Sequence, residues 1–175
     1  MAKQLTIDKC KTAILPMDFQ NRMLAELSEE TRTEILKKAN DILAKARQIG
    51  IPVIFIEFRR GERTPEMEIH HALTPQTGEL VLTKQRTGPF TTTNLNEVLK
   101  KMGVDTLVLM GIATQGCVLT TVRCAADMDY KLIVVSDCCA NPPSAVVNRI
   151  LMENVFPAQA SVLTAQQLFE VLGKV

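Results

Sequence analysis

The stretch that most constrains the fold runs from Thr106 to Cys139, TLVLMGIATQGCVLTTVRCAADMDYKLIVVSDCC. It opens on Leu107-Val108-Leu109-Met110, an unbroken apolar run with the length and bulk of a strand buried on both faces. Gly111 is expected to end that strand and Ala113-Thr114-Gln115-Gly116 to turn the chain. From about Cys117, Val118, Thr121, Val122, Ala125 and Met128 recur at three- and four-residue steps, the spacing of one helix face. Leu132-Ile133-Val134-Val135 is a second buried strand. A β-turn-α-β unit of this kind forces its two strands to run parallel.

The rest of the chain repeats the alternation. Thr12 to Met17 reads as a first strand, with Pro16 better suited to a strand end than a centre. Ser28 opens a helix that Ile35, Ala39, Ile42, Leu43, Ala46 and Ile49 carry to a C-cap at Gly50. Pro52 to Phe58 is a second buried strand, and Arg59 to Gly78 is a polar connection, mostly loop. A connection that long in a compact domain is usually functional or mobile. Glu79 to Lys84 is a third strand, and Asn94 caps a helix running to Lys101. A helix near Ser144 to Met152, a strand near Ala160 to Leu163, and a Thr164-capped helix reaching Leu172 complete the pattern. The expectation is one α/β domain over residues 1–175, with a doubly wound, mostly parallel six-stranded sheet and helices on both faces.

Composition limits the function classes. The net charge of the 175 residues is +1 and no basic cluster stands out, so nucleic acid is not an expected partner. No apolar run has the length to cross a bilayer, and the N-terminus lacks the pattern of a signal peptide. The five cysteines are an odd number, and Cys138 and Cys139 are adjacent. They read as reduced thiols of a cytoplasmic protein rather than a disulfide framework.

In a doubly wound sheet, ligands bind beyond the carboxyl ends of the strands. Asp18 follows the first strand, Lys84 ends the third, and Cys117 lies on the turn after the fourth. A thiol in a first helical turn feels the positive end of the helix dipole, and a nearby lysine adds to it. Both lower its pKa, so a thiolate nucleophile is expected. Taken singly, each residue has a plainer reading. Cys117 could pack, Asp18 could cap a turn, and Lys84 could be solvated. Cys124 is assigned to packing, as are Cys138 and Cys139, which close the fifth strand.

With these residues in view, the chain resembles the isochorismatase-like cysteine hydrolases, a superfamily that includes nicotinamidases, carbamoylsarcosine amidohydrolases and isochorismatases. The resemblance rests on Gly111-Ile112-Ala113-Thr114-Gln115-Gly116-Cys117-Val118 with Asp18 and Lys84 in the family's order, and spans about Lys11 to Leu172. It implies a catalytic triad of Asp18, Lys84 and Cys117. It also implies a cis peptide before Ala113 and an oxyanion hole formed by the N–H groups of Ala113 and Cys117. Phe19, Arg59, Phe90 and Thr114 lie on loops that should rim the crevice, and are the candidate substrate-binding residues.

The region after the second strand reads Glu57-Phe58-Arg59-Arg60-Gly61-Glu62, without the Asp-x-His that holds a metal in nicotinamidases. His70 and His71 are adjacent, so their side chains should point apart. Neither a metal nor another cofactor is expected. Gln115 stands where the family often has an acid. The implied function is cleavage of a C–N amide bond of a small molecule through a thioester on Cys117 by a homo-oligomeric enzyme. Vinyl-ether hydrolysis on the same fold, a non-catalytic oligomeric relative and a thiol redox sensor are the alternatives.

Overall fold

In the computed structural model, which describes residues 5–142 and 144–174, the alternating pattern folds into one six-stranded sheet. The single-domain expectation also covers residues 1–4, 143 and 175, which lie outside the described residues. The strands are β1 Thr12–Met17, β2 Ile54–Phe58, β3 Leu80–Lys84, β4 Thr106–Ile112, β5 Lys131–Ala140 and β6 Ser161–Leu163. The helices are α1 Asn21–Leu24, α2 Glu29–Ile49, α3 Leu95–Lys101, α4 Leu119–Asp127, α5 Ala145–Ile150 and α6 Ala165–Leu172. The sheet order is β3-β2-β1-β4-β5-β6 and every strand pair is parallel. The order reverses at β1, so right-handed crossovers put α2 and α4 on opposite faces. This is the doubly wound α/β fold, and β1 and β4, at its centre, are buried along their whole length.

Local chemistry sets the helix limits. Ser28 Oγ accepts the Thr31 N–H at the start of α2, and Gly50 closes that helix at φ 81°, a left-handed conformation that costs glycine little. Thr164 and Gln167 exchange side-chain and backbone bonds in a capping box at α6. Arg47, in the last turn of α2, donates to both oxygens of Glu79, at 2.7 and 2.8 Å. Burial pushes the Glu79 carboxyl up, but the Arg47 bonds and charge and the Gln76 N–H outweigh it and hold it below its ordinary value.

Several boundaries differ from the sequence reading. Asn94 makes no side-chain cap at α3; the Thr93 hydroxyl accepts the Leu95 N–H instead, at 3.1 Å. Met128 is exposed beyond the end of α4 rather than on its buried face. The short helix α1 carries no periodic signal. The fifth strand does run past its apolar run to the expected close at Cys138-Cys139: it leaves β4 after Val134, pairs with β6 through Val135, and rejoins β4 at Cys139. The polar pair Ser136-Asp137 occupies the irregular part, where Asp137 accepts the Ala165 N–H at 2.7 Å. That polar interruption is why the apolar run alone appears to stop.

Gly111 does not end β4 but lies inside it, opposite Met17 of β1. A Cβ there would stand 2.6 Å from the Met17 carbonyl oxygen and 2.9 Å from its Cβ. Glycine therefore lets β1 and β4 approach where their ends carry the candidate site. Gly111→Ala is expected to lower stability by about 1–3 kcal/mol, because a carbonyl in a central ladder cannot swing away. Urea unfolding checks this, and an unchanged midpoint would contradict the close approach.

Candidate active site

The chain leaves β1 through Asp18, which sits in the left-handed region at φ 56°, a conformation Asp tolerates better than most residues. The Asp18 N–H donates to the Ile56 carbonyl at 2.9 Å. Gln20 fixes the next turn of chain: its Nε2 donates to the carbonyls of Phe58 and Met67, and its Oε1 accepts the Phe58 N–H. The Asn21 N–H donates to Glu68 O, and the His70 N–H to Phe19 O. The long polar connection is thus stitched to the segment after β1, and contains two short 3-10 turns, Pro65–Met67 and His71–Leu73. Together these bonds hold the Asp18 carboxylate under cover at 4% exposure.

Lys84 ends β3 and is only 1% exposed. It reaches across β2 to Asp18, and its Nζ donates to Asp18 Oδ2 at 2.7 Å. On the way it passes over the Phe58 ring, 5.0 Å from the centroid, where the ring face attracts the cation. A lysine so deeply buried needs such partners, since removing an ammonium from water costs several kcal/mol.

The third residue comes from the other side of β1. The Ile112–Ala113 peptide is cis, and a single π-helical turn, Thr114–Val118, leads into α4. Its clamps are polar. Thr114 Oγ1 donates to Asn148 Oδ1, the Gln115 N–H to Asn141 Oδ1, and Thr121 Oγ1 to Cys117 O. Cys117 is 2% exposed, and its thiol points at the Ala113 carbonyl with Sγ 3.6 Å from the oxygen. The Asp18 carboxylate is close enough that it and the thiol perturb each other's ionisation, while the thiol's hydrogen bond goes to Ala113. With the thiol turned to Ala113, Asp18 Oδ1 has no partner.

The electrostatics correct the expected thiolate. Burial, first, and then the Asp18 charge push the Cys117 thiol well above its ordinary pKa, and Lys84 only opposes this. Asp18 is also raised, by burial, against the charge and hydrogen bond of Lys84. The helix-end argument assumed partial exposure, and in a dry site desolvation outweighs it. The resting pair is a neutral thiol beside a carboxylate already bonded to an ammonium.

The other named residues fall in different places. Thr114 is buried in the same turn as Cys117. Phe19 is packed in the core and Phe90 is half-buried against it, its ring 6.1 Å from Tyr130. Arg59 directly follows β2, its N–H donating to the Lys84 carbonyl at 3.0 Å, and its side chain helps line a cavity of about 640 Å³ with Glu57, Arg63, Glu68 and His71, whose walls include none of the three central residues. The His70 and His71 rings do not point apart; they lie 4.2 Å from each other, centroid to centroid. The 3-10 turn that begins at His71 brings them together, and His70 Nδ1 accepts the Ala72 N–H. Among the described residues, no three His, Cys, Asp or Glu side chains converge as a metal site. No described helix is long and apolar enough to cross a membrane.

Sequence reading missed Gln20, Asn141 and Asn148. Asn141 was open to inference, because it directly follows β5 and so stands at a strand's carboxyl end like the others. Nothing in the sequence marks Gln20, whose bonds reach 38 and 47 residues along the chain.

Comparison with known proteins places these positions in context. Residues 12–167 match a family model described as Isochorismatase domain. The chain is 43% identical to a ureidoacrylate amidohydrolase of Methylorubrum extorquens, over 80% of this chain and 75% of the relative. It is 39% identical to a maleamate amidohydrolase of Pseudomonas putida, over 73% and 71% respectively. The structure of an isochorismatase-like hydrolase from Alkaliphilus metalliredigens superposes with a TM-score of 0.83 at 26% identity, covering 91% of this chain and 98% of the other.

Lys84→Met should cost about 3–5 kcal/mol, because it strands a buried carboxylate. The deficit should depend on pH. Without Lys84 the folded pKa of Asp18 rises further above its unfolded value, so the folded state holds the proton longer. Stability is then retained at low pH and lost as pH rises through the folded pKa. Urea unfolding at pH 5 and pH 8 should show the larger deficit at pH 8, and Asp18→Asn with Lys84→Met should cost less than the sum of the two. A deficit independent of pH would contradict the pairing.

Proposed function

The chain belongs to the isochorismatase family and is a hydrolase; on that premise we propose that it cleaves a C–N amide bond of a small molecule through a thioester on Cys117. The observation that carries this reading is the buried line of Lys84, Asp18 and Cys117 across the ends of β3, β1 and β4. One Asp18 oxygen, Oδ2, is taken by Lys84, while the other has no partner.

The chemistry follows from the raised pKa values. A thiol held neutral needs a base at the moment of attack, and Asp18 Oδ1 is the free acceptor. As Sγ bonds to the substrate carbonyl carbon, the thiol proton passes to Asp18. The carbonyl oxygen becomes an oxyanion, and the N–H groups of Ala113, after the cis peptide, and Cys117, in the turn that leads into α4, supply its donors. Collapse breaks the C–N bond, and Asp18 returns the proton to the leaving nitrogen. Water then adds to the thioester with Asp18 as base, releasing the acid and regenerating the thiol. Lys84 keeps a charge opposite Asp18, so the carboxylate stays ionised in a dry site between transfers. The free thiols fit a reducing, cytoplasmic compartment, and exposed Val146 and Ile150 on α5 offer apolar surface for a second copy in a homo-oligomer.

Cys117→Ala is expected to lower kcat/KM by about 10⁴-fold or more and Asp18→Asn by about 10²–10⁴-fold. Mass spectrometry of a quenched wild-type reaction should find the acyl group on Cys117. The acid limb of kcat/KM should lie above the ordinary 3.8 of a carboxyl, because Asp18 must be ionised to accept the proton and activity falls as pH drops through its raised pKa. Lys84→Met should move that limb further up. An acyl-free Cys117 under turnover, or an Asp18→Asn variant with full activity, would overturn the reading.

A further inference from the structure

The cavity of about 640 Å³ beside Arg59 has no use in the mechanism, and Lys84, Asp18 and Cys117 are not among its walls. It lies between the carboxyl ends of β2 and β3 and the connection that follows β2. Glu57 and Thr83 are register partners there, as are Phe58 and Lys84. Successive residues of a strand face opposite ways. The Glu57 and Thr83 side chains are therefore on the side of the sheet away from those of Phe58 and Lys84.

Glu57 is the unusual wall. Its side chain is only 5% exposed, and a carboxylate so covered is ordinarily both paired and hydrogen-bonded. Its Oε1 accepts the Thr83 hydroxyl at 2.7 Å, while the nearest cation, Arg59 Nη2, stays 3.8 Å away. Oε2 has no hydrogen bond among the described residues. Nor is it one of the sealed, unpartnered atoms among them, which are Asp18 Oδ1 and Asn141 Nδ2. Oε2 thus keeps some open surface, and the space beside it is the cavity that Glu57 lines.

Arg59 is in the same condition. Of the several N–H donors of a guanidinium, one reaches a side-chain acceptor, the Thr83 hydroxyl, at 3.5 Å. Arg63 and Glu68, in the same wall, satisfy each other through two bonds, at 2.8 and 3.2 Å. The cavity therefore holds one settled ion pair and one loose one, Glu57 with Arg59.

The loose pair defines the guest. A lone carboxylate would face Glu57, and a lone ammonium would face Arg59. A neutral amide would bond to both and leave their charges uncompensated. A zwitterion answers both with charge-assisted bonds. Ile69, Pro75 and Val81 add apolar wall, and the volume falls within the roughly 300–1,000 Å³ of small-molecule sites. We propose that this cavity is a second binding site, for an α-amino acid with an apolar side chain, whose ammonium donates to Glu57 Oε2 and whose carboxylate accepts from Arg59. The assignment is independent of the chemistry at Cys117.

The test titrates L-leucine into the 175-residue chain and follows the His71 imidazole by NMR, since His71 is in the cavity wall and is one of two histidines. Its resonances should move saturably, and calorimetry should return the same Kd. The analogues 3-methylbutylamine and 4-methylpentanoate each lack one charge and should bind at least about tenfold more weakly. So should uncharged 4-methylpentanamide, titrated into Cys117→Ala protein to prevent its cleavage. Glu57→Gln keeps an acceptor for the Thr83 hydroxyl and removes the charge, and should weaken leucine about tenfold or more. Arg59→Gln should do the same, and gives the answer if Glu57→Gln does not fold.

Leucine that binds both variants as it binds the wild type sits elsewhere, which would overturn the proposal. So would His71 resonances that do not titrate, or an amine, acid or amide that binds as tightly as leucine.

Discussion

The arrangement depends on one buried ion pair, Lys84 to Asp18 at 2.7 Å. The partners lie 66 residues apart in sequence and two strands apart in the sheet, with β2 between them. No local signal could bring them together; only the parallel order β3-β2-β1 does. The pair also explains why β3, otherwise a partly exposed edge strand, has a fully buried end. An edge strand that anchors a buried charge has its register fixed by that charge as well as by its ladder to β2. The Arg47–Glu79 pair holds the other end of β3 to α2.

Burial that makes the pair possible also changes how the thiol must work. In an open helix-end site, dipole and lysine would release the proton of Cys117 before substrate arrived. Here the turn is covered, the nearest charge is a carboxylate, and the thiol keeps its proton. Lys84 lowers the pKa of acid and sulfur alike, but burial outweighs it at both, joined at the sulfur by the Asp18 charge. In the proposed mechanism proton transfer and carbon–sulfur bond formation are thereby coupled, and a thiol held neutral is less open to oxidation. The same dryness that raises the thiol pKa strengthens electrostatic interactions with any charge that develops there.

Much of this was legible in the sequence, and the reasons are specific. Continuous apolar runs identify strands buried on both faces, so β1, β2 and β4 were readable, and the gathering of Asp18, Lys84 and Cys117 at one end of the sheet follows from their places after β1, β3 and β4. Where a strand is interrupted by polar residues with jobs elsewhere, as Ser136-Asp137 interrupt β5, the pattern breaks off early. Gly111 read as a strand end because glycine usually marks one; its role is a close approach to Met17, which is a property of two strands together. The thiol's ionisation was misread for a related reason. Dipole and lysine can be placed from the chain order, but desolvation depends on the depth of the finished fold.

The cost of the site is concentrated in few atoms. The two unpartnered buried polar atoms among the described residues lie just beyond the ends of β1 and β5, the strands on either side of β4, whose end leads to Cys117. A fold selected only for stability would pair or remove both, since each costs about 1–3 kcal/mol when left unsatisfied. Asp18 Oδ1 is an acceptor and Asn141 Nδ2 a donor, and each belongs to a side chain whose other polar atom is firmly bonded, to Lys84 or to the Gln115 N–H. The bonded half fixes the orientation of each side chain, and the burial that leaves the other half without a partner is the cost of holding Lys84 and the Gln115 turn where they are. That cost falls at the carboxyl ends of the central strands that flank β4, where a parallel sheet has no further ladder to satisfy it.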